Sequence, residues 1–292
     1  MNTVLTIGMP VFNDIKFIEQ SLISILAQKD VEFQLIISDD GATDGSSEIC
    51  QLFATKDKRI TYYKQEKNLG ISKNMEFLLA KADTTFFMWA ADDDLWDPYF
   101  AFKNIEKLKK NEKAIVSFCK FCMIDENNNP IAKDIVFDYS NNKQFNRLIN
   151  FIKKSNDGFG YGVFKTEKIK LVNFPIWWWP NKKTPYNNIY PSLCFYLTLG
   201  DFCCVNETSL FYKRVKNNNN INHYKTGEGT GFLELIAFII RRFNLITFSS
   251  KLIRKASNPM FAIRVYPFLF FYWFLIESTI EIKNAVVFKM KK

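Results

Sequence analysis

The sequence predicts an α/β fold with a mostly parallel central sheet, flanking helices and a helical C-terminal extension. Short apolar runs, typical of buried strands, alternate with segments whose apolar residues recur at helical spacing. This alternation continues to Lys110, and strands separated by helices form parallel sheets through right-handed crossovers. Three of the apolar runs also end in polar or acidic residues, and the carboxyl ends of parallel strands are where such sheets bind ligands.

The predicted elements follow one another in regular order. Strands are predicted at residues 4–9, 35–37, 60–63 and 85–89 and from residue 114, and helices at residues 15–26, through 49–53, at 72–79 and at 98–110. Asn13 or Asp14 is expected to cap the first helix. Asp97 followed by Pro98 fits the N-cap and first position of the fourth helix.

Composition limits the class of protein. The chain has 292 residues and 48% hydrophobic content, which is ample for a core. Its 39 Lys and Arg against 30 Asp and Glu give a net charge of +9, compatible with nucleic acid, an anionic membrane or a phosphorylated ligand. The six cysteines lack paired metal spacing and are expected to be buried thiols. No signal-peptide pattern precedes the first strand, so we expect a cytoplasmic protein.

Adjacent carboxylates follow two of the predicted strands. Asp92, Asp93 and Asp94 come directly after the run at residues 85–89, and Asp39 and Asp40 follow the second strand. Like charges this close raise one another's pKa unless a cation neutralises them, and an all-oxygen cluster suits Mg²⁺ or Mn²⁺. The alternative for residues 92–94 is a solvated acidic turn. Because both strands end at the same edge of the sheet, the two clusters are expected to face one crevice.

Glycine-rich phosphate loops are absent from the expected positions. No G-x-G-x-x-G follows the first strand, and the sequence contains no G-x-x-x-x-G-K-[ST]. A phosphorylated ligand at this sheet would therefore be held by metal.

Four motifs carry a family resemblance: Pro10-Val11-Phe12-Asn13, Ser38-Asp39-Asp40-Gly41-Ala42-Thr43-Asp44-Gly45, Asn68-Leu69-Gly70 and Asp92-Asp93-Asp94. In this order and spacing, over roughly the first 110 residues, they resemble the family 2 glycosyltransferases with the GT-A fold. The resemblance implies a nucleotide-sugar donor, a divalent metal and inversion at the anomeric carbon by one in-line displacement.

The resemblance also assigns site residues. It implies that Asp39 and Asp40 recognise the base and ribose of the donor, that Asp93 is the main metal ligand, and that Asp92 and Asp94 assist. Ala91 stands where the commoner D-A-D-D pattern has its first aspartate. Asp92 is also assigned to the nucleotide-sugar, together with Pro10, Phe12, Asn13 and Lys73; a solvated lysine is the alternative for Lys73.

The sequence departs from the family pattern at the position that usually supplies the general base. Such enzymes usually supply it from an acidic motif in the second half, before a helix that ends at a glycine. The corresponding stretch at residues 185–194 carries Asn187 and Asn188 and no carboxylate. Asparagine accepts no proton at neutral pH, so Asp157, in the glycine-rich aromatic segment at residues 156–164, is the candidate base. Either Asp157 substitutes or the chain is inactive.

The expected organisation has four parts: residues 1–113, the nucleotide-sugar-binding half; 114–215, the acceptor-binding half; 216–230, a linker; and 231–292, a helical tail at the membrane interface. The tail's apolar run at residues 265–276 is shorter than the roughly 20 residues that span a bilayer. Basic residues before it suit anionic headgroups. The alternative is that these helices pack on the catalytic domain or form a dimer contact.

The sequence thus favours an enzyme that transfers a sugar to a glycan or lipid-linked acceptor in cell-surface polysaccharide or oligosaccharide biosynthesis, on the inner face of the membrane. The alternative is a degenerate protein that binds nucleotide or membrane without turnover. Nucleotidyl transfer would need a glycine-rich basic loop after the first strand, and residues 8–13 do not form one. Nucleic acid is not expected as a partner, because acidic strand ends repel phosphate.

Overall fold

A computed structural model of the chain describes residues 3–136, 138–141, 143–154, 157–172, 176–178, 185–187, 189–216 and 231–276. The strands are β1 (Leu5–Val11), β2 (Phe33–Asp39), β3 (Ile60–Lys64), β4 (Phe86–Trp89), β5 (Leu95–Trp96), β6 (Ala114–Ile124), β7 (Pro130–Ile135), β8 (Val163–Lys165), β9 (Ile176–Trp178), β10 (Pro185–Asn187) and β11 (Asp201–Arg214). The α-helices are α1 (Ile18–Leu26), α2 (Ser46–Lys56), α3 (Ile71–Lys81), α4 (Phe100–Lys109), α5 (Gln144–Lys154), α6 (Thr166–Ile169), α7 (Tyr190–Leu199), α8 (Gly231–Ala256) and α9 (Pro259–Leu269).

The chain divides into two compact units. Unit 1 comprises Met1–Ser140, Gly158–Asn173 and Gly200–Asn219, and unit 2 comprises Asn141–Asp157, Phe174–Leu199 and Asn220–Lys292. The predicted boundary at residue 113 falls inside unit 1, because strands on both sides of it join one sheet. The predicted tail at residues 231–292 falls inside unit 2.

Unit 1 is built on a nine-stranded sheet. Its strand order is β3-β2-β1-β4-β8-β6-β11-β5, with β7 paired to β6. Strands β3, β2, β1 and β4 are parallel, whereas β8 is antiparallel to both β4 and β6. The predicted α/β class is therefore confirmed, with a parallel N-terminal half in a mixed sheet. The strand order reverses between β1 and β4, which is where open α/β sheets place their ligand crevice.

Glycine on β1 permits the close packing of β4. Gly8 pairs with Trp89, and a Cβ at Gly8 would lie 2.8 Å from the ring of Phe87. The rings of Phe87 and Trp89 meet edge to face, with centroids 4.5 Å apart. Leu5 and Ile7 on β1 are fully buried. The crevice at the ends of β1 and β4 thus rests on a tightly packed base.

Two predicted helix caps are wrong. Helix α1 begins at Ile18 after Phe17, and no side chain caps it. Helix α4 begins at Phe100 after Tyr99, and no side chain caps it; Asp97 lies before the helix, where its N–H donates to the Leu210 carbonyl of β11 at 2.9 Å. The Asp97 carboxylate instead accepts the N–H of Tyr99 at 2.9 Å, inside the turn that precedes the helix. Asp97 is structural, as the sequence predicted, but it acts in the turn that precedes helix α4 and not at the helix start.

Unit 2 is mainly helical. Helix α7 is buried over residues 191–198, and α5 buries Phe151 and Ile152. Helix α9 continues into a π-helical segment, Phe270–Ile276, from which the Trp273 indole N–H donates to the Ile152 carbonyl at 3.1 Å. Part of the predicted tail is therefore packed within unit 2. The helix at residues 259–276 meets the length and hydropathy of a membrane span, a criterion that core helices of soluble proteins also meet.

Several predicted features lie outside the described residues. Residues 217–230 of the predicted linker are among them, as are Asn188 and the side chain of Asn187.

Of the six cysteines, four are buried and two are half-buried.

Candidate active site

The loop after β4 carries the predicted metal ligands and is tied to the end of β1. The Ala90 N–H donates to the Gly8 carbonyl at 2.9 Å, which keeps the loop in register with β1. The Phe12 N–H donates to the Asp92 carboxylate at 3.2 Å. Two of the predicted motifs, at the ends of β1 and β4, therefore meet in one place.

Three carboxylates form an acidic group at this edge of the sheet. Asp14, Asp92 and Asp93 each contribute an oxygen, and these oxygens all lie within 4.8 Å of one another. Asp14 is buried, whereas Asp92 and Asp93 are half-buried. Carboxylate oxygens at this spacing match the preference of hard divalent cations. We call these three residues the acidic cluster.

Asp14 was missed by the sequence prediction, which treated it only as a helix cap. Its N–H donates to the Ser46 hydroxyl at 3.0 Å, and that hydroxyl donates to Asp44 at 2.6 Å. Asp44 also accepts the Ile15 N–H at 2.8 Å. Residues that follow β2 therefore fix the backbone on both sides of the Asp14 side chain. The available signal was that Asp14 directly follows a motif at a strand end.

Negative charge predominates in the acidic cluster. Burial, together with the neighbouring charges of Asp14 and Asp93, raises the pKa of Asp92 to about 7. Burial likewise raises the pKa of Asp14, in spite of its contact with Lys216. A carboxylate in this state gains stability from any cation that reaches it.

Lys216 brings a positive charge to the acidic cluster. Its ammonium group contacts the Asp14 carboxylate and lies 2.9 Å from the Asp93 carboxylate. Burial alone would lower the pKa of Lys216, but the hydrogen bonds to these two carboxylates outweigh burial and raise it. Lys216 lies two residues beyond β11, and the sequence prediction placed it at the start of a linker.

Asp94 points away from the acidic cluster. Its carboxylate accepts the Arg214 N–H at 2.7 Å, and burial raises its pKa to about 8. The Asp94 carbonyl accepts the Ser21 hydroxyl at 2.8 Å. Among the described residues, Asp14 stands in the three-carboxylate group where the sequence prediction had Asp94. Metal ligation by Asp94 stays a prediction.

Arg214 fixes the backbone of the acidic loop. Its guanidinium donates to the carbonyls of Asp93 at 2.7 Å and Asp125 at 2.9 Å, and it stacks 4.3 Å from the ring of Phe17. It is buried at the end of β11. Arg214 therefore holds the loop through carbonyl oxygens and leaves the carboxylates of the acidic cluster to other partners. The sequence prediction did not identify it.

Asp39 is buried and bonded to its own chain. One carboxylate oxygen accepts the N–H groups of Gly41 at 3.0 Å and Ala42 at 2.8 Å, and the other accepts the hydroxyls of Tyr62 at 2.6 Å and Ser47. Burial alone would raise the pKa of Asp39, but these hydrogen bonds outweigh it and lower the pKa. The four donors match the roughly four lone pairs that a carboxylate offers.

Asp40 joins two predicted motifs. Its carboxylate oxygens accept the N–H groups of Leu69 at 2.6 Å and Gly70 at 2.9 Å. Burial is the main reason that its pKa is raised. Gly70 has a φ of 78°, a conformation that favours glycine. Asp40 therefore holds the Asn68-Leu69-Gly70 turn beside the end of β2 and retains lone pairs.

The other predicted site residues lie on different elements. Pro10 lies on β1, and Phe12 just after it is 49% exposed. Asn13 has a φ of 52°, and its side-chain oxygen accepts the Thr43 N–H at 2.8 Å. Lys73 is exposed on the first turn of α3. Asp157 belongs to unit 2, and its role as general base stays a prediction.

The chain belongs to a known enzyme family. The model of glycosyl transferase family 2 matches residues 6–173, more than half of the sequence. Both strand-end acidic motifs fall inside this range. The family and the GT-A fold predicted from the sequence are confirmed.

Curated relatives match shorter segments. The chain is 33% identical over 85 residues to the glycosyltransferase GlyG of Streptococcus pneumoniae, a match that covers 28% of each chain. It is 28% identical over 126 residues to TuaG of Bacillus subtilis, a glycosyltransferase whose assignment to teichuronic acid biosynthesis is provisional. That match covers 43% of this chain and 50% of TuaG. The matched segments thus span half or less of these relatives.

Solved structures share the fold over most of the chain. The structure of residues 1–349 of S. aureus TarS in complex with UDP-GlcNAc has a TM-score of 0.66 at 14% identity, covering 92% of this chain and 72% of that one. The mannosyltransferase PcManGT of Pyrobaculum calidifontis, in complex with GDP-Man and Mn²⁺, has a TM-score of 0.56 at 16% identity, covering 91% and 67%.

Proposed function

We propose that this protein transfers a sugar from a nucleotide-diphosphate donor to a glycan or lipid-linked saccharide, with inversion at the anomeric carbon. The observation that carries the proposal is the acidic cluster of Asp14, Asp92 and Asp93, at the edge of the sheet where the strand order reverses. The family match and the complexes of TarS with UDP-GlcNAc and PcManGT with GDP-Man support a nucleotide-sugar donor.

A divalent cation, Mg²⁺ or Mn²⁺, fits the residues present. The cluster offers three oxygens within 4.8 Å of one another, and burial together with the charges of Asp14 and Asp93 raises the pKa of Asp92 to about 7, so a cation would be stabilised there. Asp14, Asp92 and Asp93 would hold the cation. When bound, the cation stabilises the charge that develops on the departing nucleoside diphosphate.

The residues after β2 would bind the nucleoside. Asp39 accepts four hydrogen bonds from its own chain, whereas Asp40 accepts two. We therefore assign direct contact with base or ribose to Asp40, and to Asp39 the task of shaping the loop at Gly41 and Ala42.

Inversion needs a base that takes the proton of the acceptor hydroxyl, and we assign this role to Asp157. It is a carboxylate in the segment of the chain where glycine and aromatic residues suit a sugar acceptor. The second candidate function, nucleotide binding without turnover, is favoured by Asn187 and Asn188, which stand where the family usually has its acidic motif.

The test is a screen of nucleotide-sugars for hydrolysis and transfer in the presence of Mn²⁺, followed by mass spectrometry of the products. Release of nucleoside diphosphate from one donor, and its loss in the Asp93→Ala variant, is the expected result. Donor binding without release from any nucleotide-sugar or lipid-linked acceptor would favour the binding-only function.

We also propose that the protein works on the cytoplasmic face of an anionic membrane, attached through unit 2. The helix at residues 259–276 carries exposed apolar side chains, with Met260 at 68% and Ile263 at 63% exposure. Lys251 and Arg254, near the end of α8, are exposed cations. Apolar side chains beside cations suit an interface with anionic headgroups.

The membrane proposal is tested by sedimentation with phosphatidylglycerol vesicles. The wild type should pellet, and Ile263→Asp should reduce the bound fraction several-fold. The control is Ile131→Asp, because Ile131 is 57% exposed on β7 in unit 1. A wild type that stays in the supernatant, or equal loss in both variants, would contradict the proposal.

A further inference from the structure

Lys216 lies within reach of the carboxylates assigned to the metal. Its ammonium contacts Asp14, lies 2.9 Å from an Asp93 oxygen, and is 5.4 Å from the centre of the Phe17 ring. The side chain is 30% exposed, so solvent screens these contacts only in part. Asp14 and Lys216 are 202 residues apart in the sequence, and the folded sheet brings them together.

An ammonium and a divalent cation compete for these oxygens. The lysine head is a compact point charge with three donors, and here it contacts two of the three carboxylates of the acidic cluster. A cation coordinated by the same oxygens, at about 2.0 to 2.6 Å, would lie in the space between them. Two positive charges a few ångströms apart repel, so binding of the cation weakens the hold of the carboxylates on the ammonium.

Arg214 contacts the same loop as Lys216 but binds different atoms. Its guanidinium donates to the backbone carbonyls of Asp93 and Asp125 rather than to the carboxylates of the acidic cluster. A cation bound by the acidic cluster would leave these bonds intact. Lys216 and Arg214 are therefore expected to respond differently to the cation.

We propose that Lys216 is the resident counter-ion of the acidic cluster, a positioning residue that holds Asp14 and Asp93 until a divalent cation displaces its ammonium. Residue 216 thereby sets the affinity of the cluster for the cation. The inference rests on the proposed function only in taking Asp14, Asp92 and Asp93 as cation ligands. It goes beyond that function by adding a residue that opposes metal binding.

The test is a titration of the full chain with Mn²⁺, with free Mn²⁺ followed by electron paramagnetic resonance and no donor present. Lys216→Met should bind Mn²⁺ about tenfold more tightly than the wild type, because the competing ammonium is gone. Lys216→Gln should show the same direction and replaces the methionine variant if that variant fails to fold.

Lys213→Met is the matched control. Lys213 lies three residues earlier, on β11, with its ammonium 5.6 Å from the centre of the Tyr161 ring. Its removal deletes the same charge nearby without deleting a described contact to the cluster, so the affinity should change less than about twofold. In about 0.5 M salt that effect should vanish, whereas the gain in Lys216→Met should persist, because close pairs are screened less.

Thermal unfolding gives a second readout. Without divalent cations, Lys216→Met should unfold at a lower temperature than the wild type, because the carboxylates lose their counter-ion. Added Mn²⁺ should raise the unfolding temperature more in the variant than in the wild type. Unchanged Mn²⁺ affinity in Lys216→Met, or an equal gain in Lys213→Met, would overturn the proposal.

Failure of the proposed function would look different. If neither wild type nor variant binds Mn²⁺ while a donor is still turned over, the counter-ion inference is wrong and glycosyl transfer stands. If Lys216→Met binds Mn²⁺ more tightly and no donor is ever turned over, the inference stands and the transfer proposal is wrong.

Discussion

Unit 1 holds two groups of aspartates at neighbouring strand ends, and their surroundings differ. After β2, Asp39 accepts four hydrogen bonds from its own chain, and its pKa is lowered. At the ends of β1 and β4, Asp92 faces Asp14 and Asp93, and its pKa is raised to about 7. The same residue type thus accepts hydrogen bonds from a loop in one place and lies among other carboxylates in the other.

The difference comes from the supply of donors. The turn after β2 provides N–H groups at Gly41 and Ala42 that converge on one oxygen of Asp39. The loop after β4 gives Asp92 the Phe12 N–H at 3.2 Å, a longer bond. Hydrogen bonds that satisfy the lone pairs of a buried carboxylate stabilise its charged form, whereas neighbouring carboxylates destabilise that form until a cation reaches it.

The largest effect should come from the acidic cluster. Asp93→Ala should lower turnover by about 10³-fold or more, because charge stabilisation at the leaving group is lost. The variant should remain folded by circular dichroism, because a like charge has been removed. Turnover near the wild-type rate would contradict the assignment of Asp93 as a metal ligand.

The next effect in size concerns Asp157, a carboxylate that belongs to neither group of aspartates. Asp157→Asn should slow transfer by about 10²- to 10⁴-fold, the usual worth of a general base, and leave donor affinity nearly intact. Single-turnover rates and calorimetric donor binding separate the two quantities. Wild-type transfer by the variant would eliminate Asp157 as the base.

The difference between Asp39 and Asp92 can be tested by measuring the free energy of unfolding. Asp39→Asn should lower the free energy of unfolding by about 3 kcal/mol, because buried donors lose their acceptor. Asp92→Asn should change it by less than about 1 kcal/mol or raise it, because repulsion is relieved. Urea unfolding at neutral pH, without divalent cations, measures both. Equal losses would break the distinction between the two groups.

The same pair gives a pH dependence. The lowered folded pKa of Asp39 means that its contribution to stability is present above its ordinary pKa of about 3.9 and is lost as pH falls through the folded value. Wild type and Asp39→Asn should therefore differ in stability at pH 6 and converge in strong acid. A constant difference down to about pH 2 would contradict the hydrogen-bonded carboxylate.

The smallest effect concerns nucleotide affinity. Asp40→Asn should weaken nucleoside diphosphate binding about tenfold in calorimetry, through a lost contact and a looser turn at Leu69 and Gly70. Asp83→Asn is the control, because the Asp83 carboxylate accepts a hydrogen bond from the side chain of Gln34, which lies at the opposite end of β2 from Asp40. Equal affinities in both variants would remove Asp40 from the donor site.

Local sequence signals predicted most of unit 1 and two of the three residues of its acidic cluster. Apolar runs locate β1 to β4, since burial on both faces demands them. The sequence predicted Asp93 as the main metal ligand with Asp92 and Asp94 assisting, but the backbone turns the Asp94 carboxylate to the Arg214 N–H. Adjacency in sequence does not fix which way a side chain points in a turn.

Long-range contacts could not be read from the sequence. The roles of Arg214 and Lys216 depend on β11 returning beside β6, a pairing of strands far apart in the chain. Asp14 joins the cluster only because residues after β2 hold its backbone. The predicted caps of α1 and α4 were wrong because both helices begin a few residues later than the sequence pattern indicated, at Ile18 and Phe100.

The long separation between the acidic loop and β11 also has a consequence for synthesis. Arg214 bonds to Asp93 across 121 residues, and a ribosome adding 5 to 20 residues per second needs roughly 6 to 24 seconds to make that interval. The carboxylates of Asp14, Asp92 and Asp93 are thus made well before Arg214 and Lys216. A nascent chain that stalls before β11 lacks the Arg214 bonds that hold the acidic loop and the Lys216 ammonium that contacts Asp14 and Asp93, and is exposed to misfolding for that interval.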